Sequence, residues 1–171
     1  MYAFMITCYL LMFINFFNLT LTGASGFWDF NIFGASHTRF ALFMILIFTI
    51  TETLVMYFFI TTGKAIKSAI ESGLGENNLW KRERELKMKL FPQLMLTILF
   101  VGGWFIHIGA VENQISPLWV HHLIFITAYI HHIWSLTIKN NSFIEQLSII
   151  DQLGENSWFK QCITQLKHWN Y

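Results

Sequence analysis

His107, His121, His122, His131, His132 and Glu52 all lie inside long apolar runs, where an ionisable side chain is expensive unless it serves a partner or a reaction. Counted inward from the outer ends of those runs, they form two layers. His107 is about five residues deep in the third run and His121 and His122 three or four deep in the fourth, with His37 just ahead of the second. Glu52 is about twelve residues deep, and His131 and His132 thirteen or fourteen, near the midplane.

Two imidazoles at equal depth on neighbouring helices can ligate one iron axially, so the outer layer suggests a haem b held by His107 and His121 or His122. A copper or zinc ion bound by His37, His107 and His121 is a second metal reading, since both ions accept imidazole. Without a metal, the same rings hydrogen-bond to water, headgroups or backbone. In the inner layer, Glu52 is either neutral through desolvation or ionised against a protonated His131 or His132, and either state suits a proton relay. Tyr129 beside them would complete a quinone site, with a histidine donating to the carbonyl. A plain polar pair that fixes helix register competes with both. His121 and His132 are eleven residues apart, close to three turns and ~16 Å along one face, whereas His122 and His131 diverge by about a quarter turn. At most one histidine of each doublet therefore serves a shared cavity.

Positioning these groups takes four spanning helices. Apolar runs extend over about 2–22, 40–62, 90–110 and 118–138. Each reaches the ~20 residues that a helix rising ~1.5 Å per residue needs to cross a ~30 Å hydrocarbon core. The expected fold is an all-α integral membrane protein: a four-helix transmembrane bundle over 1–138, made of two antiparallel hairpins, with a cytoplasmic amphipathic tail over 139–171. The first run has no basic residues ahead of it and is read as a retained helix rather than a cleaved leader. Pro92 and Pro117 fall near the starts of helices three and four, where a missing N–H costs little. Gly102 and Gly103 are expected to let the third helix pack closely.

Orientation follows from the basic residues. Seven of the eleven lie in the segment 63–89 and three follow the fourth run, against Arg39 alone on the other side, so both termini and the 63–89 loop are expected on the cytoplasmic or matrix face. That loop is expected to prolong helices two and three beyond the bilayer. The outer loop, 23–36, carries Phe27, Trp28, Phe30 and Phe33, which suit an interface or a partner. Ser142 and Glu145 form a capping box ahead of Phe143, Ile144, Leu147, Ile150 and Leu153, predicting a separate amphipathic helix. Trp158, Phe159, Ile163, Leu166 and Trp169 predict a second. Leu74-Gly75-Glu76-Asn77 recurs as Leu153-Gly154-Glu155-Asn156, a weak echo of a duplication that would superpose helix two on helix four.

Composition agrees with this picture: 54% of residues are hydrophobic and 12% charged, too few to cover a water-facing surface. A net charge of +1 gives no pull toward nucleic acid. Cys8 and Cys162 are far apart in sequence and are expected as free thiols. Little chain is left outside the bilayer for a catalytic domain. The reading that follows is a multi-pass subunit of a respiratory-type redox complex in a bacterial or organelle inner membrane. It would serve electron transport with a haem b or metal ion near the outer face, with other membrane subunits and lipid as partners. Two alternatives stay open: a cofactor-free structural or assembly subunit, and a small proton-coupled transporter or channel working through Glu52 and His131 or His132.

Overall fold

A computed structural model of the chain describes the backbone of residues 2–168 and the side chains of residues 3–154. The expected tail contacts of Trp158, Phe159, Ile163, Leu166 and Trp169, and the thiol of Cys162, lie outside the described side chains. Four α-helices follow one another: α1 Tyr2–Trp28, α2 His37–Glu71, α3 Asn77–Glu112 and α4 Leu118–His168. No strand occurs among the described residues, only an isolated bridge between Ile32 and Ala35. α1, α2 and α3 are each long and apolar enough to cross a membrane. The apolar run of α4 is interrupted by four histidines between Leu118 and His132.

Successive helices pack antiparallel, and α1 touches α4 to close the bundle. Two side-chain bonds fix the register of that closure: Thr20 Oγ1 with Tyr129 OH at 2.9 Å, and Tyr9 OH donating to Asn140 Oδ1 at 2.9 Å.

The helices overrun the apolar runs that announce them. α1 continues through Gly23–Gly26, expected as loop, because the phenyl ring of Phe125 sits where a Cβ on Gly23 would lie and the His37 ring takes that place at Gly26. α2 and α3 project beyond their apolar segments and meet at a turn where Gly73 takes φ 80°. Pro92 lies well inside α3 rather than near its start. α4 does not break after Ile138, so the expected separate tail helix is continuous with it. Ser142 is buried and Glu145 accepts from Arg82, while Phe143, Gln146, Ile149 and Leu153 carry the inward stripe onward against the neighbouring helices. That stripe, at three- and four-residue spacing, is why the helix persists. The echoed tetrapeptides differ in conformation: Leu74–Glu76 is a turn, whereas Leu153 lies in α4 and packs over Gly75.

The core has three apolar strata. Leu19, Met44, Phe48, Val101, Trp104 and Phe125 form the outer one; Met12, Val55, Phe58, Leu90, Leu94 and Phe143 belong to the next; Ile66, Leu79, Ile149 and Leu153 close the inner end. Gly102 and Gly103 contribute to none of them. A Cβ on either would meet nothing within 4 Å, since Val101 and Trp104 hold the inward positions of that turn.

Candidate functional site

The outer layer gathers histidines from three helices around Trp104. His37 opens α2, His107 lies near the end of α3, and His121 and His122 lie in the first turns of α4. The hydrogen bonds fix their tautomers, because an indole N–H can only donate. Trp104 Nε1 donates to His121 Nε2 at 3.1 Å, so His121 carries its hydrogen on Nδ1 and is neutral. Nδ1 of His121 faces Nδ1 of His107 at 3.4 Å, and His107 Nε2 reaches Ser116 Oγ at 3.0 Å. A directional chain follows, from Trp104 through His121 and His107 to Ser116. On the other side, Ser25 gives its hydroxyl hydrogen to the Thr22 carbonyl, which makes His37 Nδ1 the donor to Ser25 Oγ at 3.0 Å. His37 Nε2 is then a buried acceptor without a protein partner; Nε2 of His122 is also buried without one, and its ring packs at a tilt 4.3 Å from Phe27. Thr38, next to His37, donates to Glu112 at the far end of α3 and pins the α2 and α3 ends together.

A haem iron between His107 and His121 would need one lone pair from each ring on opposite faces of a macrocycle. The rings lie 15° from parallel with nitrogen facing nitrogen, and Nε2 of His121 is taken by Trp104, so this arrangement does not fit that group. Among the described residues no three His, Cys, Asp or Glu side chains converge on one metal position.

The middle layer is a polar stratum between the two upper apolar ones, and its position can be read helix by helix. Asn15 falls between Met12 and Leu19 on α1, Thr51 and Glu52 between Phe48 and Val55 on α2, Thr97 between Leu94 and Val101 on α3. On α4, His132, Ser135 and Lys139 fall between Ala128 and Phe143. All occupy core positions of the same inward stripe. Glu52 pairs with Lys139, and neither side chain is exposed at all. A helical Cβ tilts toward the N-terminus, so the lysine stem climbs α4 from just past the apolar run toward the centre of the bundle.

His131 and His132 face different neighbours, as adjacent helical residues must. Thr97 gives its hydroxyl hydrogen to the Gln93 carbonyl and accepts from His131 Nδ1 at 3.1 Å, while the His131 ring packs on Phe100. His132 is 1% exposed, lies against Phe48, and has no hydrogen-bond partner on either nitrogen. Asn15 is equally bare at both side-chain atoms, and so are Ser135 Oγ and Glu52 Oε2. Buried polar atoms are almost always satisfied, and this stratum concentrates several with no protein partner. Tyr129 is not part of it; its hydroxyl turns to Thr20 and its ring stacks on Phe16 and Phe125 at the α1 face.

The sequence leaves Glu52 either neutral or paired with His131 or His132, whereas its partner in the structure is Lys139. At the end of the apolar run, Lys139 reads as a cytoplasmic charge. The signal that could have found it is its place seven residues after His132 and four before Phe143, on the buried stripe. Asn15 and Thr97 were likewise legible only as polar residues at core spacing. No protein-family model, curated protein or solved structure matches the chain.

Proposed function

We propose that the chain is a four-helix integral membrane protein that translocates protons through its interior, with the Glu52–Lys139 pair as the exchanging group. The observation that carries this reading is the complete burial of that pair. Ionisable groups inside spanning segments are retained where ions or protons pass, and a buried ion pair adds little to stability over an apolar pair of the same shape. A carboxylate and an ammonium in direct contact can pass a proton between them. His132, one helical stretch above, can accept on one nitrogen and donate from the other, with Ser135 and Asn15 as hydrogen-bonding steps in the same stratum. Leu19, Phe48, Trp104 and Phe125 separate this stratum from the outer histidines, so the conformation is closed and conduction requires that apolar layer to part.

The basic residues of the α2–α3 projection, Lys64, Lys67, Lys81, Arg82, Arg84, Lys87 and Lys89, favour the cytoplasmic or matrix side for that end and both termini. Association with other membrane subunits is favoured by the opposite loop. There Phe33 is held at φ 49° and is 97% exposed, a strained backbone presenting a bare aromatic ring. The redox reading has less support, because, of its two ligand pairs, His107–His121 has Nε2 of His121 committed to Trp104 and no contact among the described residues brings His107 and His122 together.

The test is proton uptake into liposomes containing the purified protein, driven by a potassium diffusion potential and read with an internal pH dye. Glu52→Gln and His132→Ala are expected to cut the rate by about a hundredfold or more, the usual worth of a positioned acid–base group. Wild-type protein of native helicity that conducts no faster than empty liposomes would overturn the reading.

A further inference from the structure

Between α3 and α4, at the inner edge of their apolar segments, lies an open cleft of about 670 Å³. Its volume is within the range of small-molecule sites. The wall is graded along α3: after Arg82, farthest from the apolar segment, come Glu85, then Lys89 one turn nearer, then Pro92 and Gln93, with Ile138 of α4 opposite. Glu85 and Lys89 are both exposed and neither forms an ion pair among the described residues. Arg82, by contrast, is spent at the cleft's end, donating to Glu145 Oε1 at 2.6 and 2.9 Å and to Gln152 Oε1 at 2.9 Å. The cleft therefore offers one free negative and one free positive group, separated by about 6 Å along the helix. Two further acceptors lie in the deeper part of the wall. Gln93 Oε1 is buried without a partner, and Pro92 has no N–H to give the carbonyl of Met88, another lining residue.

We propose that this cleft binds a zwitterionic phospholipid carrying a primary amine, its phosphate on Lys89 and its ammonium on Glu85. The order of groups is the argument. In a leaflet, acyl chains lie deepest, the phosphate next and the amine nearest water, and the cleft presents Pro92 and Ile138, then Lys89, then Glu85 in that order. A phosphate needs a donor, which Lys89 supplies. A primary ammonium needs an acceptor, and Glu85 supplies it, whereas a quaternary amine has no hydrogen to give. A purely anionic headgroup would satisfy Lys89 and face Glu85 unpaired. This assignment rests on the reading of the chain as membrane-spanning.

The experiment is native mass spectrometry of the full chain released from mild detergent, after exposure to phosphatidylethanolamine, phosphatidylcholine or phosphatidylglycerol, with millimolar phosphoethanolamine as the soluble competitor. Phosphatidylethanolamine is expected to be retained above the other two. Lys89→Ala should lower retention of all three by about fivefold, the effect of one basic contact at a headgroup. Glu85→Gln should erase the preference for the primary amine and leave phospholipid binding otherwise intact. Equal retention of the three lipids by wild-type protein, or unchanged retention in both variants, would overturn the assignment. Displacement by phosphoethanolamine alone would overturn the lipid and leave a site for a soluble phosphate. Extraction of the same membranes with alkaline carbonate separates the two claims. Release of the protein defeats the membrane reading, and retention without lipid selectivity defeats the cleft assignment alone.

Discussion

Lys139→Met removes one charge from a pair that has no access to water, and the structure sets the size of the consequence. Glu52 and Lys139 are each 0% exposed, and Oε2 of Glu52 has no other partner to share the stranded charge. Breaking such a pair from one side costs ~3–5 kcal/mol, because the remaining ion stays desolvated without compensation. Removing both charges also removes both desolvation penalties, so Glu52→Gln with Lys139→Met is expected to return to within ~1 kcal/mol of the wild type. The two single variants and the double variant make a cycle whose coupling should reach about 5 kcal/mol or more. The assay is unfolding in mild detergent by added sodium dodecyl sulfate, followed by helical circular dichroism. If Lys139→Met is as stable as wild type, or the double variant is worse than either single one, the pair is not buried as described and the reasoning fails. Recovered stability without recovered proton flux in the double variant would separate the structural from the functional contribution.

The remaining predictions concern packing and the outer layer. Gly26→Val should destabilise by ~1–3 kcal/mol, since the new side chain collides with the His37 ring, whereas Gly102→Ala should be neutral or stabilise by up to ~1 kcal/mol; equal effects in the same unfolding assay would contradict the packing. Trp104→Phe leaves His121 Nε2 without its donor and should cost ~1–3 kcal/mol; an unchanged ¹⁵N shift of that nitrogen would refute the assigned tautomer. Arg82→Lys, at a pair about a third exposed, should cost less than ~1 kcal/mol. Dithionite-reduced protein is expected to lack the α-band of a b-type haem; a band weakened by His107→Ala would restore the redox reading.

The apolar runs made the number and order of the helices legible, because length and hydropathy alone decide whether a segment can span. Their ends were hidden, since α2, α3 and α4 change from an apolar surround to amphipathic packing without a break at residues such as Lys89 and Ser142. The grouping of His37, His107 and His121 followed from depth counting. Their actual partners, Ser25, Ser116 and Trp104, did not, because hydroxyls and an indole in a run rich in Thr and Phe carry no distinguishing pattern. The place of Lys139 was not legible for a physical reason: a lysine at the end of an apolar run normally extends its amine toward water, and this one turns the other way to meet Glu52.

α4 runs unbroken for 51 residues, with no proline and a single glycine, Gly154, in its length. At ~1.5 Å per residue it is a rod of about 76 Å without a natural hinge. Its outer turns hold His121, its middle holds Lys139, and its far part stands well beyond the apolar segments. A tilt of about 5° about one end would displace the other by about 7 Å. Any rearrangement that parts Trp104 from His121 is thus delivered as leverage to the opposite side of the bundle, where a partner gripping the protruding end would feel it.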